Sequence, residues 1–332
     1  MNTLEALFDD FNNLNVLIVG DVMIDSYLWG SVDRISPEAP VPIVSVNNRE
    51  KRLGGAANVA LNIKAMGATP FLVSVIGNDT DGQEFEKILQ QQNMPLQGLV
   101  KSEDRITTIK HRIIASAQHI LRVDSEEDHL LNDTERIALV NKVEQLIQTC
   151  DVLIFEDYDK GVLSTETITA ITELAQQNNV PIVVDPKKRN FLAYHNVDLF
   201  KPNLKELKEG TKAEFENKDL EAIKTAVAKL KEQQNHKGFM VTLSELGVYI
   251  DKEEKKHIPA HSRKIADVSG AGDTVISVAA LAIATKQTAS FVAELSNLAG
   301  GLVCESIGVV PIDKKQLLKE AQSLLHKSAS AT

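Results

Sequence analysis

The stretch DVSGAGDTV at residues 267–275 places two glycines and two aspartates within its first seven positions. Gly270 and Gly272 permit a tight turn that exposes consecutive N–H groups, and the apolar run after them reads as a helix. A helix start presents unpaired N–H groups and the positive end of the dipole, so the backbone of Ser269, Gly270, Ala271 and Gly272 is a candidate anion hole. Asp273 stands at that point, either as a helix cap or as a general base beside a developing anion. Basic residues offer a second chemistry. Lys110 and Arg112 are two apart in a β-like run and so share a face; with Arg122 they either grip an anion or are solvated edge-strand charges. Lys187, just past Asp185, either neutralises phosphate or is a loop lysine. There is no GxxxxGK[ST] loop, no GxGxxG after the first strand, no HExxH and no CxxC, which excludes the motifs of P-loop, dinucleotide and common metal chemistry.

The elements that must hold these residues follow an α/β rhythm. Apolar strands are predicted at 15–20, 71–76, 151–157, 181–185 and 238–243. Helices are predicted at 54–67, 81–92, 133–148, 164–178, 217–234 and over most of 272–326. Such alternation implies a mostly parallel sheet covered on both faces. The β-like runs in 26–47 and 97–123 lack crossover helices, so they are assigned to a small antiparallel sheet standing off the main one as a lid. In open parallel sheets ligands bind beyond the carboxyl ends of the strands, and Asp21, Asp157, Asp185, Asn203 and Thr242 all fall there. One domain over 1–332 is expected, fraying from residue 326.

The net charge is −10, from 36 basic and 46 acidic side chains, which excludes the basic footprint of non-specific nucleic-acid binding. No apolar run reaches about 18 residues, so no membrane span is expected. An acidic start argues against a signal peptide, and two cysteines, Cys150 and Cys304, are too few for a disulfide framework. A cytoplasmic protein is expected, with no nucleic-acid or membrane partner.

Three motifs in order carry a resemblance. DVSGAGD at 267–273, GGAANVA at 54–60 and PNLKE at 202–206 resemble the signatures of the ribokinase-type (PfkB) sugar kinases. Within that family, VGDVMIDSYLWGSVDRISPEAPVPIVSV at 19–46, EDYDKGVL at 156–163, VVDPKKRNFLAY at 183–194 and FKPNLKELKE at 200–209 resemble D-glycero-β-D-manno-heptose-7-phosphate kinases in their stand-alone form, without a nucleotidyltransferase domain. The chain departs at Ser26, where arginine is usual, and at Lys188, Arg189 and Asn190, where glycine, threonine and aspartate are usual.

The resemblance implies a ribokinase-like fold, ATP and Mg²⁺ as cofactors, and phosphorylation of the anomeric O1 of the heptose 7-phosphate on the route to ADP-heptose and lipopolysaccharide. The alternatives are a PfkB kinase for ribose, a hexose phosphate or a nucleoside, and a sugar-binding regulator without catalysis. Asp273 would be the base, beside the Gly270–Ala271–Gly272 anion hole. Asp21 and Asp25 would bind sugar hydroxyls, unless they cap a turn. Gly54, Gly55 and Asn58 would let the sugar approach the backbone, unless they serve helix packing. Asn203 and Glu206 resemble the pair that organises Mg²⁺, although NLKE alone reads as a helix start. Thr242, Ser244 and Gly247 resemble the nucleotide-side turn, and Asn297 a residue bordering the adenine pocket, or a plain helix asparagine. The exposed faces and edges of the lid imply a homodimer through it.

Overall fold

The computed structural model describes residues 3–115 and 118–329. Its strands are β1 (Asn15–Gly20), β2 (Val22–Ile35), β3 (Pro42–Gly55), β4 (Thr69–Gly77), β5 (Leu99–Ser102), β6 (Ile109–Ala115), β7 (Gln118–Ser125), β8 (Val152–Glu156), β9 (Ile182–Asp185), β10 (Leu199–Phe200), β11 (Phe239–Thr242), β12 (Val248–Asp251) and β13 (Lys255–Ile258). The helices are α1 (Leu4–Asp10), α2 (Ala56–Ala65), α3 (Thr80–Gln91), α4 (Asp133–Ile147), α5 (Thr165–Gln177), α6 (Leu204–Thr211), α7 (Leu220–Gln234), α8 (Ala271–Ala284), α9 (Ala289–Val303) and α10 (Lys314–Ala329).

Nine strands form the main sheet in the order β13-β12-β11-β10-β9-β8-β1-β4-β5. Every pairing is parallel except β11 with β12 and β12 with β13. Alternate side chains of a strand point to opposite faces, and both faces are buried. Val16 and Ile18 of β1 join Ala57, Ile276, Ala279 and Val292 on one side. Leu17 and Val19 join Leu139, Val143, Ile171 and Val227 on the other. That double burial explains strands that are apolar throughout. Helix α8 is buried continuously from Asp273 to Ala282, as its unbroken apolar sequence requires.

The lid is a four-stranded sheet, β3-β2-β6-β7. The structure corrects it in three respects. Its central pair, β2 with β6, is parallel, so the sheet is mixed. Residues 99–102 belong to the main sheet, because β5 pairs in parallel with Ser74–Gly77. A four-residue run such as Leu-Val-Lys-Ser carries no signal for which sheet it will join. Gly54 and Gly55 end strand β3, since the β2–β3 ladder continues to Val22↔Gly55, and Gly55 is at the same time the N-cap of α2, which begins at Ala56 rather than at 54.

The turn expected between the two lid runs, at 116–117, lies outside the described residues, as do 330–332 of the tail; α10 continues through Ala329 where fraying is predicted from 326.

Candidate active site

Parallel strands point their carboxyl ends the same way, so Asp21, Asp157, Asp185 and Thr242 gather along one rim. Asp273 faces this rim from the first turn of α8, which starts after Gly270 in the left-handed region at φ +78°. Its carboxylate is 6% exposed and accepts from Asn58 Nδ2 at 2.6 Å and Tyr158 Oη at 2.8 Å. Burial pushes its pKa up to about 6, with Asp185 adding to the rise against the two hydrogen bonds. The anion hole is narrower than the sequence suggests. Ser269 donates its N–H to Asp267 Oδ1 and Ala271 donates to the Val268 carbonyl, whereas the amides of Gly270 and Gly272 have no acceptor among the described residues.

Asp25 and Asn58 belong to this site. Asp25 is buried in β2 and accepts from Arg112 Nη1. Gly54 lies so close that a β-carbon there would stand 2.5 Å from Asp25 Oδ2. Asn58 is fully buried, and its Oδ1 has no partner among the described residues.

Asp21 and Asp157 are different from expectation. Asp21 accepts from the backbone N–H groups of Tyr158, Lys160 and Val162, so it anchors the 158–162 loop. Burial raises its pKa against those three bonds. Asp157 is fully buried under the rim and accepts from the Asp159 N–H, Asn190 Nδ2 and Tyr194 Oη. Burial pushes its pKa up to about 7. Both oxygens of each carboxylate are thus engaged by donors of the protein. Asn190, one of the residues that departs from the subfamily, is there to hold Asp157 and the Leu163 carbonyl.

Beside Gly272 lies a cluster of opposite charges. Lys201 is buried and pairs with Asp185 Oδ2 at 2.8 Å. Lys187 pairs with Glu206 Oε1 at 2.7 Å and lies 3.9 Å from Asp185 Oδ1. Burial lowers both lysine pKa values, but Asp185 and Glu206 outweigh it and raise them. Glu156 is fully buried with neither carboxyl oxygen partnered among the described residues, and burial followed by Asp185 and Asp273 raises its pKa well above the usual range.

Asn203 and Glu206 form a reciprocal capping box on α6: Glu206 N–H donates to Asn203 Oδ1, and Asn203 N–H donates to Glu206 Oε2, each at 2.8 Å. The NLKE segment is therefore a capped helix start, and Glu206 is also paired with Lys187. No group of three or more histidines, cysteines or carboxylates among the described residues is placed to cage a metal. Asp185, Glu206 and Asp273 outnumber Lys187 and Lys201, and the Glu156 carboxyl buried beside them is orphaned among the described residues. That donor set fits Mg²⁺ kept in a water shell, the ion's usual preference. The capping role sets a stability expectation. Asn203→Ala should lower the unfolding free energy by ~1 kcal/mol, read by denaturant titration; an unchanged midpoint would show that the cap contributes nothing.

The residues expected on the nucleotide side come together. Thr242 bridges Asn203 in parallel. Leu243 to Gly247 is a tight turn, with Ser244 at φ +53° and Gly247 at φ +90°. Asn297 Nδ2 donates to the Pro259 carbonyl at 2.9 Å, and that segment abuts Gly247. Asn203, Lys208 and Ser244 line one depression.

The lid cations are more occupied than expected. Lys110 pairs with Asp124 and Glu126. Arg122, its side chain 61% exposed on the edge strand, pairs with Asp124. Only Arg112 reaches the Asp25 side of the cleft. Sequence reasoning passed over Glu156 and Tyr158, each one residue from Asp157, and Lys201, two residues before Asn203. The apolar strands before them signalled a rim, but not which residue after a strand end turns into it.

Residues 13–315 match the model of the pfkB family carbohydrate kinases. Two curated relatives named Bifunctional protein HldE are similar over 95% of this chain. The one from Sulfurimonas denitrificans is 38% identical and the one from Aliarcobacter butzleri 37%. The chain spans 65% and 66% of their lengths. Among solved structures, phosphofructokinase-2 from Escherichia coli in complex with potassium superposes with a TM-score of 0.80 at 20% identity, covering 94% of this chain and 99% of that one. Arabidopsis thaliana ribokinase complexed with ribose and ATP gives 0.70 at 16%, covering 92% and 99%. The family match runs over nearly the whole chain and includes Asp273 and both glycine motifs: this protein belongs to the pfkB family of carbohydrate kinases.

Proposed function

We propose that the chain transfers the γ-phosphoryl group of ATP to the anomeric O1 of D-glycero-β-D-manno-heptose 7-phosphate, giving the 1,7-bisphosphate for ADP-heptose and lipopolysaccharide core synthesis. One observation carries the chemistry: a buried carboxylate with its pKa near 6, held by Asn58 and Tyr158 at a helix start with open amides. The HldE relatives and the 19–46 segment support the choice of sugar.

Asp25 and the Asn58 carbonyl oxygen orient the sugar. Asp273, ionised, takes the hydroxyl proton at its carboxylate as O1 attacks. The Gly270 and Gly272 amides meet charge developing on the transferring group, and Lys187 and Lys201 offset the negative charge beside it. Glu206 and Asp185 would hold Mg²⁺ through water, and the ion would supply positive charge against the phosphates of the nucleotide. Asn203, Thr242, Ser244, Gly247 and Asn297 border the nucleotide. The deciding measurement compares heptose 7-phosphate with ribose, fructose 1-phosphate and fructose 6-phosphate under ATP. A higher kcat/KM for any of the others would overturn the choice of sugar, and no ATP turnover would favour a binding regulator.

The reading extends to a single-domain cytoplasmic homodimer joined through the lid. No helix among the described residues is long and apolar enough to cross a membrane. The lid exposes Ile35, Val41, Ile120, Leu121 and Val123, apolar surface that a second copy can cover. Leu121→Asp should therefore shift the sedimentation coefficient to that of a monomer; a parent chain that already sediments as a monomer sinks the dimer.

A further inference from the structure

We infer that Arg52, in lid strand β3, is a positioning residue that latches the lid to the Gly270–Gly272 turn. The inference rests on that turn being the one that meets the transferring phosphoryl group. Arg52 Nη1 donates to the Val309 carbonyl at 3.0 Å, across 257 positions of sequence. Its other edge is held by Glu50, with Nε at 2.6 Å and Nη2 at 3.0 Å. All three nitrogens of the fork thus donate within the protein, which fits a strut.

The segment it holds touches the turn twice. Gly308 N–H donates to Asp267 Oδ2 at 2.9 Å, and Asp267 Oδ1 accepts from both the N–H and the hydroxyl of Ser269. Val309 Cγ1 packs against Gly270, 3.2 Å from where a β-carbon there would lie. Lid, 308–309 segment and anion hole therefore form one continuous contact path. Gly308 is required for it. Its φ is +73°, and a β-carbon would come within 2.8 Å of Arg52 Nη1.

At the lid end, the Arg52 guanidinium stacks on Tyr27 at 4.9 Å, and Arg112 stacks on the same ring at 5.4 Å. Arg112 is the partner of Asp25. A sugar engaging Asp25 thus bears on Arg112, Tyr27 and Arg52 in turn, and through Val309 on the amides that must be aligned for transfer. Alignment of this kind acts on kcat more than on binding.

The test uses Arg52→Lys, which keeps the charge but not the fork that reaches Glu50 and Val309 together. Amide hydrogen exchange of the ligand-free protein should quicken at 267–273 and 306–309 while β8 stays unchanged. Phosphoryl transfer should show kcat about tenfold lower, with both KM values within about twofold. In a double-mutant cycle, Arg52→Lys and Asp267→Asn should be non-additive although the two side chains do not touch. Exchange changes confined to β2 and β3, a rise in sugar KM alone, or additive effects would each overturn the latch. If Arg52→Lys fails to fold, Gly308→Ala breaks the same path and must give the same exchange pattern. Faster exchange at 267–273 with no turnover on any sugar phosphate would support the latch and remove the functional reading instead.

Discussion

Asp273→Asn is expected to lower kcat by about 10²–10⁴-fold, the usual worth of a general base, or roughly 3–5 kcal/mol of barrier. The KM for ATP should be nearly unchanged, because the side chain faces Asn58 and Tyr158. The pH profile gives a second readout. A base whose pKa is raised to about 6 is protonated below that value, so kcat should rise with pH and level off above it. The variant should lose that limb.

Stability should move the other way. A carboxyl with a folded-state pKa above its unfolded value costs the fold stability as pH climbs from the unfolded pKa through about 6, and that cost persists above. Asparagine removes it, so the thermal midpoint at pH 7.5 should hold or rise. A variant with near-normal kcat makes Asp273 a helix-start residue only. A loss of kcat with a collapsed midpoint makes it structural.

What the sequence discloses follows the range of the interactions concerned. The strand starts and ends of β1, β4, β8, β9 and β11 are legible because a strand buried on both faces is an unbroken apolar run. The DVSGAGD turn is legible because its glycines and carboxylates lie within one short segment. The capping box at Asn203 and Glu206 is equally local, and here the local reading accounts for both side chains. What stayed hidden depends on partners far along the chain. Asp21 looks like a ligand for hydroxyls until three amides from 158–162 are found on it. Asp157 and Tyr158 are neighbours, yet one turns down onto Asn190 and Tyr194 while the other reaches Asp273. Nothing in EDYDKG says which. Lys110, Arg112 and Arg122 read as one basic face because alternation is visible, but cross-strand register decides their fates. Lys110 stands between Asp25 and Asp124 in the ladder and pairs with Asp124, while Asp25 pairs diagonally with Arg112.

For the proposed substrate, this pairing leaves Arg112 as the candidate grip on the distal phosphate, and its replacement is the second large effect. Arg112 spends Nη1 on Asp25 and lies over Tyr27, while Nε and Nη2 have no partner among the described residues. A planar fork with one edge anchored and one edge open is suited to phosphate. A charge-assisted hydrogen bond is worth about 1.5–3 kcal/mol, so Arg112→Ala should raise the KM for the sugar phosphate roughly 10–150-fold and leave the KM for ATP nearly unchanged. Arg112→Lys separates this role from service to Asp25. Lysine keeps a charge near Asp25, which avoids the penalty of an unpaired buried carboxylate, but it lacks the fork. Its defect should therefore appear with heptose 7-phosphate and be small with unphosphorylated heptose. Arg122→Ala, at an exposed edge position paired with Asp124, should change the KM for the sugar phosphate less than about twofold, as surface pairs contribute little. If both Arg112 variants weaken phosphorylated and unphosphorylated sugar alike, Arg112 serves Asp25 only. The phosphate grip then moves to Lys187 and Arg189 on the loop after β9.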